Sequence, residues 1–410
     1  MGNTNPWQAA RQVAQAPVMV LLRPLAVLLL ALLLALPAEA AAERRVDLRR
    51  FPGEIDVMTQ NQYLGADLTP ILEAPTAQAL DEAVLQVLDQ AADNSFPRRA
   101  ERQAAEIVRQ RPDLVALQEV ARFNCRDLPP EPGACADPAI ARAFVDQLEE
   151  TLSALRARGA DYRVAAAVTS FDLETVEAKL PDVGAVRGVP FTLGGRRGLL
   201  TIQNRDVILQ RADIEAKPVL FEGCQRAGDG CTYQAARTVP LPGIGNGAEL
   251  ELRRGFVGID AQVRGHRFRL VTTQMEDAGL AGDIQAAQAD ELLAALGPQS
   301  PNGAPLILAG DFGTAASDVS EAITAAGFAD AWTVQRGRAG GATCCQRPDL
   351  RNAAPALSKR PDLILTRGAV RPGGIRLIGA EPAGRTWPVE GQRLWPSDHA
   401  GLVVRLRAEP

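Results

Sequence analysis

Between residues 199 and 274 the chain carries apolar, strand-length stretches at 199–210, 249–261 and 267–274, with no helical pattern between them. Parallel neighbours need a long crossover, usually a helix, whereas antiparallel neighbours need only a turn. This argues against a doubly wound parallel sheet. Further strand patterns occur at 55–60, 114–118, 162–168, 305–310, 362–366, 374–379 and 400–406. Helical spacing occurs at 77–93, 97–110, 138–158, 279–296 and 317–326. The second of these opens at Pro97 and closes before Pro112. Residues 171–198 and 335–360 read as irregular. The mixture fits an α/β, four-layer sandwich: two mainly antiparallel β-sheets packed face to face with helices outside. No repeat or change of composition divides 45–410, so that span is expected to be one domain.

The first forty residues read as an address. Arg23 precedes the Leu/Ala run Leu25–Leu36, and Ala38-Glu39-Ala40 follows it. This is the charged start, apolar middle and small-residue end of a signal peptide spanning 1–40, with cleavage near Ala40. The run is short for a bilayer, which needs about 20 apolar residues. Extending it back to Met19 brings in Arg23 and Pro24, so an uncleaved anchor is the second reading. Met19 competes with Met1 as the start. A secreted or periplasmic protein is expected, with no transmembrane segment in the mature chain, no obligate protein partner and a monomeric state.

Net charge is −5, from 44 Lys+Arg against 49 Asp+Glu, which disfavours a protein that coats nucleic acid. Aromatic content of 4% disfavours a stacking platform for single strands. Cysteines fall in close pairs: Cys125 with Cys135, Cys224 with Cys231, and Cys344 beside Cys345. In an exported chain an even count favours disulfides, and the two loop pairs, Cys125 with Cys135 and Cys224 with Cys231, are the local bridges expected. A zinc site is the alternative, weakened by only two histidines and no Cys-x-x-Cys spacing.

Functional residues collect at strand ends. Apolar runs finish at Asn61, at Gln118-Glu119 and at Gly310-Asp311, another begins at Asp362, and Ser397-Asp398-His399 sets an acid beside a histidine. A single acid after a strand is ordinarily just the first exposed residue. The whole set is harder to dismiss, because buried carboxylates need a partner or a cation. Glu119 and Asp311 are hard oxygen donors suited to Mg²⁺ or Mn²⁺. His399 can move a proton while an acid orients its other nitrogen. Together these suit hydrolysis of a phosphate ester.

Thr59-Gln60-Asn61, Gln118-Glu119, Gly310-Asp311-Phe312, Arg360-Pro361-Asp362 and Ser397-Asp398-His399 occur in the order found in the endonuclease/exonuclease/phosphatase superfamily. The chain resembles that group, with its deoxyribonuclease-I-like fold, from about residue 54 to 406. Asn204-Arg205-Asp206-Val207-Ile208-Leu209 is similar to its middle strand. The resemblance implies Glu119 as a metal ligand and Asn61 as a residue holding metal and phosphate. It implies Asp311 as the positioner of the attacking water, and His399 as base or phosphate contact. Asp362 is then the aspartate oriented against His399, and Asp398 a contributor to the metal site. The implied cofactor is Mg²⁺ or Mn²⁺, and the implied substrate a phosphodiester, either DNA/RNA or a phospholipid head group.

Two positions depart from the resembled pattern. Gly-Asp-Phe-Asn reads Gly310-Asp311-Phe312-Gly313, and Thr-His-Leu reads Thr273-Gln274-Met275. Loss of one transition-state donor typically costs about 2.7–4 kcal/mol. The competing expectation is therefore a weakened or non-catalytic phosphate-ligand-binding protein on the same fold. Other candidates read blandly. His266 lies in a tight turn, and Gly194-Gly195-Arg196-Arg197-Gly198 reads as a flexible turn. Ser397 lacks a Gly-x-Ser-x-Gly elbow. Arg205 is equally a strand-edge arginine or a residue of the site mouth.

Overall fold

In the computed structural model, which describes residues 53–298, 303–313, 317–389 and 391–409, the apolar stretches form strands. The long ones are β1 (Glu54–Asn61), β2 (Leu114–Gln118), β3 (Tyr162–Asp172), β4 (Arg196–Arg211), β5 (Gly255–Val263), β6 (His266–Gln274), β7 (Leu306–Asp311), β8 (Asp362–Arg367), β9 (Val370–Ile378) and β10 (Gly401–Ala408). The main helices are α1 (Ala77–Asp93), α2 (Phe96–Gln110), α3 (Gln147–Ala157) and α4 (Ala278–Leu296). The expected leader at 1–40 lies outside the described residues. Among the described residues no helix is long and apolar enough to cross a membrane.

The strands form two eight-stranded sheets and two small two-stranded ones. The first large sheet runs β9-β10-β1-β2-β4, and the long β4 also pairs with β3, Arg122–Leu128 and Val189–Leu193. The second is built on β5-β6-β7-β8. Pairing is antiparallel except for β1–β2 and β6–β7. Each parallel pair is joined through helices, α1 and α2 in the first case and α4 in the second, as a same-direction return requires.

Alternation along β1 explains the layering, since successive side chains point to opposite faces. Ile55 and Val57 share a core with Ile259, Leu270, Ile307 and Ile364 of the other sheet. Met58 faces the other way, onto Ala104 and Ile107 of α2 and Leu155 of α3. On the far side, Leu292 and Leu296 of α4 pack on Val271, Leu306 and Leu308. The result is the expected helix–sheet–sheet–helix sandwich.

Some expectations shift in detail. The helix expected over 138–158 begins only at α3, where the Asp146 side chain caps Leu148 N and Glu149 N. Ahead of it stands a single 3₁₀ turn at Ala141–Ala143. Residues 171–198 hold a hairpin, Glu177–Leu180 with Gly184–Arg187, and the strand Val189–Leu193. The stretch 249–261 is two strands, because Glu249–Leu252 pairs with Arg237–Pro240 and not with the main sheet. Cys125–Cys135 and Cys224–Cys231 form disulfides, as does Cys344–Cys345.

Candidate active site

Both parallel pairs stop at one edge of the sandwich. Asn61 lies beside Gln118 where β1 and β2 end. Gln274 lies beside Asp311, and Asp311 beside Asp362, where β6 and β7 end and β8 begins. β10 runs antiparallel to β1 and starts at this same edge, so the preceding Ser397-Asp398-His399 segment joins the cluster. Gly310 makes the last step of β7 possible. At its φ of +158°, a Cβ would lie within 2.0 Å of Thr273 O on the neighbouring strand.

Asn61 joins the two carboxylates. Its Nδ2 donates to Glu119 Oε1 at 3.1 Å and to Asp311 Oδ2 at 2.9 Å, while its Oδ1 accepts from Tyr63 N at 2.8 Å. Glu119 also accepts from Gln274 Nε2 at 2.8 Å and from Leu64 N at 3.0 Å. Its backbone is left-handed, with φ +53°. That conformation costs a non-glycine residue about 1–2 kcal/mol and must be imposed by its surroundings. Arg205 imposes it. Its carbonyl accepts from Val120 N at 3.0 Å, its Nε donates to Val120 O at 3.1 Å, and its Nη2 is anchored on Asp146 at 2.6 Å. Arg205 is thus spent on the turn after Glu119.

His399 Nδ1 lies 2.7 Å from Asp362 Oδ2, and both residues are buried. Burial works against the imidazolium, but Asp362, Asp398 and Asp311 outweigh it and lift the His399 pKa well above the usual histidine value. Asp311 is raised by burial and by Asp362, against the pull of His399, Gly313 N–H and Asn61. Burial, with Glu119 and Asp311 nearby, pushes Asp398 up to about 6 despite His399 and Arg99. Burial also raises Asp206 of β4 well above the ordinary value, with Glu119 and Asp311 adding to it against Arg254 and the Gln274 N–H.

The donor set suits a hard divalent cation. Glu119 and Asp398 line one cavity of about 330 Å³, and carboxylates crowded in a half-buried space are relieved by a cation. Glu119 accepts three hydrogen bonds, which leaves lone-pair capacity for an ion.

The two departures from the motif are built in. Gln274 Nε2 is committed to Glu119, and its Oε1 meets Asn204 Nδ2 at 3.4 Å. Gly313 N donates to Asp311 Oδ1 at 2.9 Å. At its φ of +61°, a Cβ would lie 2.6 Å from Glu276 O, so an asparagine has no room there.

Sequence reasoning missed Arg99. It is fully buried in α2 and donates to the carbonyls of Asn94, Gln62, Pro396 and Tyr63. It therefore ties the end of β1 to the loop bearing Asp398 and His399. Burial pushes its pKa down to about 10, although Tyr63, Asp398 and Glu119 favour the charge. The bland readings of the other candidates agree with their surroundings. His266 is exposed, Gly194 and Gly195 form a left-handed turn, and Ser397 Oγ donates to Asn61 O at 2.7 Å.

The model of the Endonuclease/Exonuclease/phosphatase family matches residues 85–399. The chain belongs to that family. Its members are phosphoesterases and nucleases, and its enzymes generally use divalent metals. The fold is shared with a family protein from Bacteroides thetaiotaomicron, at 14% identity and TM-score 0.51, covering 88% of this chain and 100% of that one. A mannosyl-6-phosphatase of Bacteroides thetaiotaomicron aligns at 15% identity and TM-score 0.48, covering 86% and 99%. D. rerio TDP2 complexed with a single-strand DNA product aligns at 17% identity and TM-score 0.44, covering 87% and 99%. No curated protein matches the sequence.

Proposed function

We propose that this chain is a secreted, Mg²⁺- or Mn²⁺-dependent phosphodiesterase in which water attacks phosphorus with the help of His399. The observation that carries this reading is one connected set of side chains. Gln274, Glu119, Asn61 and Asp311 are hydrogen-bonded in series, and acceptor atoms of Asp311, Asp362 and His399 all lie within 4.8 Å of one another. Glu119 and Asp398 would hold the ion, with the Asn61 side chain beside Glu119. When bound, the ion neutralises charge on the phosphate oxygens. Asp311 orients the water and accepts its proton, a task its raised pKa suits. His399, kept charged by Asp362, donates from Nε2 to the phosphoryl oxygens.

The cavity beside Glu119 and Asp398 bears on the substrate. Its lining is mixed, with Leu64, Leu68, Leu72, Phe171 and Ile202 beside Arg253 and Arg254. An apolar cluster next to two guanidinium groups favours a phosphodiester with an apolar substituent, such as a phospholipid, over a long nucleic acid. The competing reading, a binding protein that lost turnover, rested on Gln274 and Gly313. Both now have structural work beside the acids, which weakens it.

The test uses bis-p-nitrophenyl phosphate, phospholipid vesicles and single-stranded DNA, each with Mg²⁺, Mn²⁺ or EDTA. Turnover that needs the ion and disappears in His399→Ala is expected, with vesicles preferred to DNA. Metal-independent turnover, or turnover retained in His399→Ala, overturns the mechanism. N-terminal sequencing of exported protein should begin near residue 41.

A further inference from the structure

His399 has a second neighbour that the phosphodiesterase reading does not use. Its Nδ1 is committed to Asp362, and its other nitrogen, Nε2, lies 4.0 Å from Cys345 Sγ. The Cys344 and Cys345 sulfurs and a His399 ring nitrogen all lie within 4.8 Å of one another. Cys345 is exposed and Cys344 buried. The segment that carries them is held from both sides. Cys344 N donates to Lys359 O at 3.0 Å, and Lys359 N returns to Cys344 O at 2.9 Å. Gln346 N donates to Asp398 O at 2.7 Å, and Ala400 N to Thr343 O at 2.7 Å. These backbone bonds hold the segment that carries the sulfurs against the one that carries His399.

We propose that the reduced Cys344-Cys345 pair and His399 Nε2 form a binding site for a soft divalent cation such as Zn²⁺ or Cd²⁺, separate in chemistry from the oxygen set at Glu119. While the sulfurs are bonded to each other, neither is a thiolate and the site does not exist. A dithiol opens it: the S–S bond breaks, two electrons and two protons pass to the cysteines, and the reductant closes to its own disulfide. The ion then displaces both thiol protons and the proton on His399 Nε2.

A tetrahedral zinc with Zn–S near 2.3 Å and Zn–N near 2.0 Å sets sulfur and nitrogen about 3.5 Å apart. The Cys345–His399 separation of 4.0 Å is close to that. Asp362 on the far ring nitrogen supplies the outer carboxylate that zinc-binding histidines ordinarily have. Thiolate and imidazole select soft or borderline ions, while the carboxylates select Mg²⁺ or Mn²⁺. If the phosphodiesterase reading holds, an ion on Nε2 removes the donor that the substrate needs, so reduction with zinc silences the enzyme.

The test titrates Cd²⁺ into the full chain, before and after dithiothreitol treatment and its removal under anaerobic conditions, following the ultraviolet thiolate-to-cadmium band. The reduced chain should take up one ion with this band, at least tenfold more tightly than the oxidised chain. The band should be lost in Cys344→Ser/Cys345→Ser and in the milder Cys345→Ser, both of which keep the other cysteine pairs. His399→Gln should weaken binding tenfold or more. Equal binding by oxidised and reduced chains, or an unchanged band in the serine variants, overturns the site. A chain that takes the ion on reduction yet hydrolyses nothing when oxidised supports this site and counts against the phosphodiesterase reading.

Discussion

Replacing Gly313 by asparagine restores the residue that the resembled motif carries, and it should harm the protein. A Cβ at Gly313 would lie 2.6 Å from Glu276 O and 2.9 Å from Asp277 Cα. Both are backbone atoms and cannot swing aside. Overpacking of this kind costs about 1–3 kcal/mol. The left-handed backbone adds less than about 1 kcal/mol for asparagine, which tolerates it better than most residues. The sum is roughly 1–4 kcal/mol. With unfolding entropy near 2.1 cal/mol/K per residue, a body of this size should lose about 1–5 °C in melting temperature. The displacement also reaches the acids, because Met275 N donates to Asp311 O and Gly313 N to Asp311 Oδ1, each at 2.9 Å. A shift there should lower kcat/KM about tenfold or more. Calorimetry and hydrolysis of bis-p-nitrophenyl phosphate read the two effects, with Gly313→Ala as a companion that bears the full backbone strain. An asparagine variant that melts no lower and hydrolyses faster would refute the reasoning, since Gly313 would then be a simple loss.

Arg99→Met keeps the aliphatic stem but strands the carbonyls of Asn94, Gln62, Pro396 and Tyr63. Urea unfolding should show a loss of about 3–5 kcal/mol, and a loss under about 1 kcal/mol would mean the buried cation contributes little. Gln274→Leu removes a donor to Glu119, and Mn²⁺ affinity by calorimetry should fall about 10–100-fold; unchanged affinity sinks the supporting role. The folded chain binds protons more tightly than the unfolded one at Asp398, Asp311 and His399. For the acids, stability falls as pH rises from the unfolded value through the raised folded value, which for Asp398 is about 6. For His399 it is fully present below about 6.5 and lost as pH climbs through its raised folded value. The metal-free chain should therefore be more stable at pH 5 than at pH 7, by on the order of 1–3 kcal/mol, with a smaller difference in Asp398→Asn and in the presence of Mg²⁺. No difference between the two pH values in the metal-free chain would contradict the burial of these groups.

Periodicity made the regular parts of the fold legible. Helices α1 and α2 begin and end within a residue of expectation, because apolar spacing and Pro97 leave little freedom. The acids were legible for a different reason: Glu119 and Asp311 stand where an apolar run stops, Asp362 where one begins, and Asp398 beside a histidine. What escaped was held by partners distant in sequence. Arg99 reads as one more polar residue of an amphipathic helix, and only the carbonyls of residues 62, 63 and 396 make it internal. Gln274 reads as a missing histidine, because its hydrogen bond crosses 155 positions to Glu119. The approach of Cys345 to His399, 54 positions apart, leaves no local mark.

The pairing of β1 with β10 sets Glu54 against Arg407. The site likewise draws on residues from Asn61 to His399, so almost the whole polypeptide must be present before any of it is complete. If the phosphodiesterase reading holds, a growing chain on the ribosome carries Glu119 and Asp311 before the histidine proposed to work with them, and a fragment ending before residue 399 should be inactive.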